Sequence, residues 1–468
     1  MPLDRRSLIV RGGAALAFGG FARQVRAEPG ETYINQVAGY GPLLPDPHGV
    51  LDLPRGFVYR IISRAGTTMD DGLITPGQFD GMGCFALGGD RVALVRNHEL
   101  KGAVETHRIQ GPGGPREERL GRLARDKVFD TFADGRPLPG GVTTLVYDLR
   151  ARRLVHQHLS LAGTSTNCCG GQTPWGSWLS CEETEETPAS ADVQRPHGWV
   201  FEVPSNATGL VDPVPLTGLG RFDHEAVCID PSTGVAYLTE DKVDGLFYRF
   251  VPERAGDLRG GGRLQAMAIR GARSADSSNH TDRFWAPGDW LDVDWIDLDH
   301  VDSPDSDLRL RGHASGAVRV SRGEGVHWGD GELYLTATSG GPIQRGQILR
   351  YRPSPDEGRP QEARAPGRVQ LFVESADEKT LNMGDNLTVA PWGDLIVCED
   401  NYSETVRNHI KGVTPGGRLY TLARNVHPAN AEFAGAVFSP DGAVLFVNIQ
   451  NPGLTLAIEG PWPRRGGA

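Results

Sequence analysis

The sequence predicts an all-β fold, a six-bladed β-propeller carrying inserted loops or caps. Two observations lead there. The 468 residues include 62 Gly and 33 Pro, which suits many tight turns between short strands rather than long helices. One hairpin design also recurs six times, with a polar or acidic head, a short strand, a Gly/Pro/Asp turn, an apolar strand and a tail that is usually polar or acidic.

In chain order the six segments read "FDGMGCFALGGDRVALVRNHE" from Phe79, "NCCGGQTPWGSWLSCEE" from Asn167 and "FDHEAVCIDPSTGVAYLTED" from Phe222. They continue with "GEGVHWGDGELYLTATS" from Gly323, "NMGDNLTVAPWGDLIVCED" from Asn382 and "EFAGAVFSPDGAVLFVNIQ" from Glu432. Between them "HGWVFEVP", "GLFYRFVP", "GQILRYRP" and "GRLYTLAR" supply outer strands. Radial repetition of such a unit is a propeller. Long inserts, Lys101 to Pro139 and Arg254 to Arg319, are expected as loops or caps.

The N-terminus, "MPLDRRSLIVRGGAALAFGGFARQVRAEPGE", pairs Arg5 with Arg6, follows with a Gly/Ala-rich segment and ends on the small-residue site Val25-Arg26-Ala27. Residues 1–27 therefore read as an export signal of the twin-arginine type, and residues 28–468 as a single propeller domain in the periplasm or outside the cell. Arg11 interrupts the apolar segment, which is too short to span a bilayer, so no membrane anchor is expected. A formal charge of −11 argues against a nucleic-acid partner. A monomer is expected.

Six cysteines, at 84, 168, 169, 181, 228 and 398, leave disulfides open in an oxidising compartment. None forms a C-x-x-C couple, and a bridge between adjacent Cys168 and Cys169 would be strained.

In an antiparallel hairpin the head and tail lie side by side. If these hairpins are innermost, one mouth of the channel is ringed by Asp80, Cys168, Asp223, His224, Glu225, Glu324, Asp385 and Asn386 from the heads. The tails add Asn97, His98, Glu99, Glu182, Glu183, Glu240, Asp241, Glu399 and Asp400. So many converging carboxylates repel one another unless cations neutralise them. Oxygen ligands suit Ca²⁺ or another hard cation, while the lone thiolate adds a transition-metal preference, so a mixed cluster is expected. Cys169 follows Cys168 on a strand and should point to the opposite face.

Other motifs add little. "GDWLDVDWIDLDHVDSPDSD" from Gly288 lacks EF-hand spacing and reads as a solvated acidic insert, and "RGGGR" at Gly260 lacks the context of a phosphate loop. No Gly-x-Ser-x-Gly elbow is present.

The motifs "RNHE", "TNCCGG-TPWG-WLSCEE", "FDHEA", "YLTED", "RGEGVHW", "MGDNL" and "CEDN" resemble those of the PhoX-type alkaline phosphatases over roughly Phe79 to Asn451. The resemblance implies an exported six-bladed propeller that hydrolyses small phosphate monoesters with two iron(III) ions and several calcium ions. It places Cys168 on iron, makes Glu225, Glu324 and Asp385 cluster ligands, and adds Glu99, Glu183, Glu240 and Glu399. Asn97 and Arg322 would then face the phosphate. Phosphoryl transfer needs neutralised equatorial oxygens and a stabilised leaving oxygen, which closely spaced cations and a bidentate arginine supply. Two other readings fit an acidic propeller mouth: a calcium-dependent lactonase or phosphotriesterase using oxygen and His ligands, and a non-enzymatic propeller that binds calcium for rigidity.

Overall fold

The computed structural model describes residues 31–463 apart from 103, 404 and 405. The proposed export signal lies outside the described residues, among which no helix is long and apolar enough to cross a membrane.

All six sequence-predicted hairpins form, because each pairs alternating apolar residues across a turn that Gly, Asp or Pro can make. They are Phe79–Gly88 with Arg91–His98, Asn167–Gln172 with Ser177–Glu182, and His224–Ile229 with Ala236–Glu240. The later three are Gly323–Gly329 with Glu332–Ala337, Gly384–Val389 with Leu395–Glu399, and Phe433–Phe438 with Val444–Ile449. Each first strand packs on the first strand of the next hairpin, and the sixth packs on the first, so these strands close a ring. The arrangement is propeller-like.

Hydrogen bonds join the strands into sheets of six, three, nine, four and four. The nine-stranded sheet unites the third and fourth hairpins with their outer strands through pairing of Trp290–Asp297 with Arg368–Glu374. The insert from Arg254 to Arg319 is therefore not only loop or cap: it adds strands Gly262–Ile269 and Trp290–Asp297 to the sheet and carries a short helix, Leu308–Ser315. Its acidic run is solvated as expected, and Asp294, Asp297 and Asp307 also pair at the surface with Arg270, Arg263 and Arg311. Closure joins the two ends of the chain, the early strand Val58–Arg64 pairing with Leu454–Glu459 behind the sixth hairpin. This pairing occupies strand edges that would otherwise be open.

The insert from Lys101 to Pro139 is mostly turns around the helix Glu105–Ile109. It is clipped to the second hairpin by fully buried His197, which bridges Asp130 at 3.1 Å and Glu182 at 2.7 Å.

Candidate metal centre

Each of the six hairpins carries a β-bulge at its head. In the second, Asn167 pairs with Glu182 and Gly170 with Ser180, so Cys168 and Cys169 together face the single residue Cys181. The same two-against-one shift sets Asp80 and Gly81, Glu225 and Ala226, Glu324 and Gly325, and Asp385 and Asn386 opposite one residue each. A bulge turns its extra residue out of the ladder and re-aims the side chain. Five bulges thus aim Asp80, Cys168, Glu225, Glu324 and Asp385 at one mouth. The sixth, at Gly435 and Ala436, has no ligand to offer, and Glu432 just before its strand supplies a carboxylate instead. Small residues beside the bulges let the ring close: a Cβ on Gly81 would lie 2.6 Å from Cys169 Cα, and one on Gly325 2.8 Å from Asn386 Cα.

The side chains converge in four groups whose ligand atoms lie within 4.8 Å of one another: Cys168, Glu183 and Glu225; Glu225, Glu324 and Asp385; Asp385, Asp400 and Glu432; Asp80, Glu99 and Glu432. Glu225, Asp385 and Glu432 each belong to two groups, so the four form one continuous chain of donors. They line or underlie a cavity of about 860 Å³ whose wall also carries Lys101, Asp241, Arg322 and Tyr402.

Burial, reinforced by neighbouring carboxylates, pushes Asp80, Glu183, Glu225, Glu324 and Glu432 well above the carboxylate range and Asp385 up to about 8. The Cys168 thiol is pushed up in the same way. Glu225 Oε2 is buried without a hydrogen-bond partner. A chain of buried acids with an orphaned oxygen lacks positive charge, which metal ions would provide. The donors fit that role, with carboxylates for hard cations and one thiolate for a transition metal.

Of the residues selected from sequence, Glu99, Cys168, Glu183, Glu225, Glu324 and Asp385 belong to these groups, and Arg322 lines the cavity. The structure sets three others apart. Glu240 Oε2 accepts from the Leu246 N–H and the Tyr248 hydroxyl. Glu399 accepts from the N–H groups of Asn382 and His409 and from His409 Nδ1. Both staple the hairpin tail to neighbouring backbone, and the next residues, Asp241 and Asp400, line the cavity. Asn97 is fully buried behind the site, its amide donating to the carbonyls of Cys168 at 3.1 Å and Cys169 at 2.5 Å and its Oδ1 accepting from Trp178. It braces the cysteine bulge rather than facing the cavity.

Asp80, Asp241 and Asp400 belong to the ring of heads and tails legible in the sequence, but not to the ligand set taken from it. Glu432 and Lys101 lay outside both. Lys101 Nζ lies 3.3 Å from Glu99, and only its position directly after the "RNHEL" tail hinted at a place in the mouth. The two adjacent cysteines diverge: Cys168 enters the cavity, whereas Cys169 joins an apolar cluster with Cys228 and Val326. All six cysteines are buried and unpaired.

The fold resembles that of Pseudomonas fluorescens PhoX in complex with vanadate, a transition state analogue, at a TM-score of 0.66 and 19% identity, over 88% of this chain and 96% of that one. At that identity the likeness is one of fold. Gluconolactonases from Xanthomonas campestris and Pseudomonas aeruginosa align at TM-scores of 0.36 and 0.38, with 12% and 14% identity, over 90% and 84% of this chain and 98% and 89% of theirs. Scores that low carry no argument. No curated protein matches the chain in sequence. Residues 38–453, nearly the whole described chain, match the family described as alkaline phosphatase PhoX, and the chain belongs to that family.

Proposed function

We propose that this metal-dependent phosphatase hydrolyses small phosphate monoesters in the acidic cavity, with iron and calcium ions held by the four linked donor groups. The observation that carries the reading is the position of Arg322 on the wall beside those groups. Asp241 accepts from its Nε and Nη2 at 2.7 and 2.9 Å, and Glu324 lies 3.0 Å from Nη2. That leaves Nη1 for a phosphate oxygen. Arginine cannot ligate metal, so its part is to orient the phosphate and oppose the charge that grows in the transition state.

Cys168, Glu183 and Glu225 form the group suited to iron, because it holds the thiolate. The all-oxygen groups, with Asp80, Glu99, Glu324, Asp385, Asp400 and Glu432, suit calcium. When bound, such cations neutralise the phosphoryl oxygens and activate the attacking water. The protein walls do the rest: Asn97 holds the cysteine bulge in place, and Asp241 fixes the arginine.

The closed ring of six first strands supports reading the fold as six blades, the nine-stranded sheet being two blades joined at their outer edges. The sequence of residues 1–27 supports export by the twin-arginine machinery, which moves folded proteins and so suits a cofactor installed beforehand, with a monomer acting in the periplasm or outside the cell.

The test is metal analysis of the purified exported protein beside assays with p-nitrophenyl phosphate, a phosphotriester and a lactone. Iron with calcium and turnover of the monoester alone are expected. Calcium without iron, with turnover of the lactone or triester, would replace this reading by the lactonase or phosphotriesterase one. Full metal loading without any turnover would leave a calcium-binding propeller.

A further inference from the structure

Tyr402 is the most exposed large apolar or aromatic side chain among the described residues, at 72%, yet it lines the cavity. An aromatic ring left in water at the mouth of a site offers a surface to a ligand.

The backbone that carries the ring is held in place. It lies in a braced turn, where buried Asn401 donates its N–H to Asn408 Oδ1 at 2.8 Å and its side-chain amide to the same atom at 2.6 Å and to the Arg407 carbonyl at 3.2 Å. Asn401 Oδ1 in turn accepts from the Ser403 N–H at 3.1 Å. Tyr402 shares the cavity wall with Asp400, a member of the donor chain, and with Arg322. The ring therefore stands in the same cavity as the place where Arg322 would hold a phosphate, and it is left exposed to solvent. A ring carried on a braced turn costs less backbone ordering when a partner stacks on it.

We propose that Tyr402 is a specificity-determining residue whose ring stacks on a planar leaving group, nucleoside monophosphates being the favoured class of phosphomonoester. The inference rests on the phosphatase reading above. An ester whose phosphate sits beside Arg322 projects its alcohol toward the mouth, and the cavity of about 860 Å³ has room for a nucleoside there. The surrounding wall is polar, with Arg407 and Asn430, which suits the heteroatom edges of a base better than a hydrocarbon ring.

Adenosine 5′-monophosphate and ribose 5-phosphate share a primary phosphate ester and differ in the base, so their kcat/KM ratio isolates stacking from leaving-group chemistry. In the metal-loaded protein the ratio should be about ten in favour of the nucleotide, the order expected of one base–aromatic stack. Free adenosine should inhibit turnover of p-nitrophenyl phosphate competitively. In Tyr402→Ala the ratio should fall to near one, through a higher KM for the nucleotide, and adenosine inhibition should vanish. Tyr402→Trp, which keeps a ring, should retain most of both. A ratio near one in the unmodified protein, or a preference that survives Tyr402→Ala, overturns the inference while leaving the phosphatase reading intact. Absence of turnover on every ester, p-nitrophenyl phosphate included, overturns both.

Discussion

The carboxylate of Asp241 grips the guanidinium of Arg322 through two parallel hydrogen bonds, 2.7 Å from Nε and 2.9 Å from Nη2. This fork holds the arginine on the wall of a cavity of acids, with Nη2 also 3.0 Å from the proposed ligand Glu324. Burial disfavours both charges, but the pairing outweighs it, lowering Asp241 and raising Arg322 relative to their ordinary values. Replacing Arg322 by Ala should reduce kcat/KM for p-nitrophenyl phosphate about a hundredfold, the loss of one charged transition-state contact worth about 3 kcal/mol. Metal content should stay unchanged. Asp241→Asn, which leaves the arginine in place but loosens its aim, should lose roughly tenfold. Unaltered kinetics in both would remove this pair from the site.

The adjacent cysteines should behave oppositely. Cys168→Ser should release iron, bleach any thiolate-to-iron absorption and abolish turnover, because the hydroxyl that replaces the thiolate is a poor, mostly protonated ligand. Cys169→Ser should keep colour and rate and lower stability by roughly 1 to 3 kcal/mol, the cost of a hydroxyl among apolar neighbours. Metal analysis and urea titration separate the two effects. Loss of iron from Cys169→Ser alone would invert the assignment.

The acidic doublet at the end of the fifth hairpin divides its work. Asp400→Asn should lower metal content and activity with little change in unfolding midpoint. Glu399→Gln should keep its metals and lose about 3 kcal/mol of stability, since it disrupts a buried acceptor of two backbone N–H groups and a histidine. Metal loss from the Glu399 variant with an unchanged midpoint would argue against this division.

His197 should make the protein's stability fall on the alkaline side. Burial alone would discharge the imidazole, but Glu182 and Asp130 hold it charged and raise it from 6.5 to about 10. Its contribution is therefore complete below about pH 6.5, where the unfolded chain is protonated too, and is lost as pH rises toward 10. Urea midpoints measured from pH 6 to 10 should decline, and His197→Gln should start lower and decline less. Parallel curves for the two proteins would show that His197 does not titrate in this window.

The hairpins and the chemistry of their ends were legible in the sequence, because turn residues and strand alternation are local properties of the chain. Quoted as motifs, they already contained Cys168, Glu225, Glu324 and Asp385. Local pattern could not say which member of each tail doublet enters the mouth. Glu240 and Glu399 looked as suitable as Asp241 and Asp400 until backbone donors from other segments, Leu246, Asn382 and His409, claimed their carboxylates. Nor could it show that Asn97 turns behind the bulge, that Glu432 replaces the ligand missing from the sixth bulge, or that the long insert at Arg254 adds strands to the sheet. A buried carboxylate goes wherever donors or cations satisfy it, and those partners lie far away in the chain. The inventory of donors therefore belongs to the sequence, whereas their division between stapling the fold and facing the cavity was decided when the ring of strands closed.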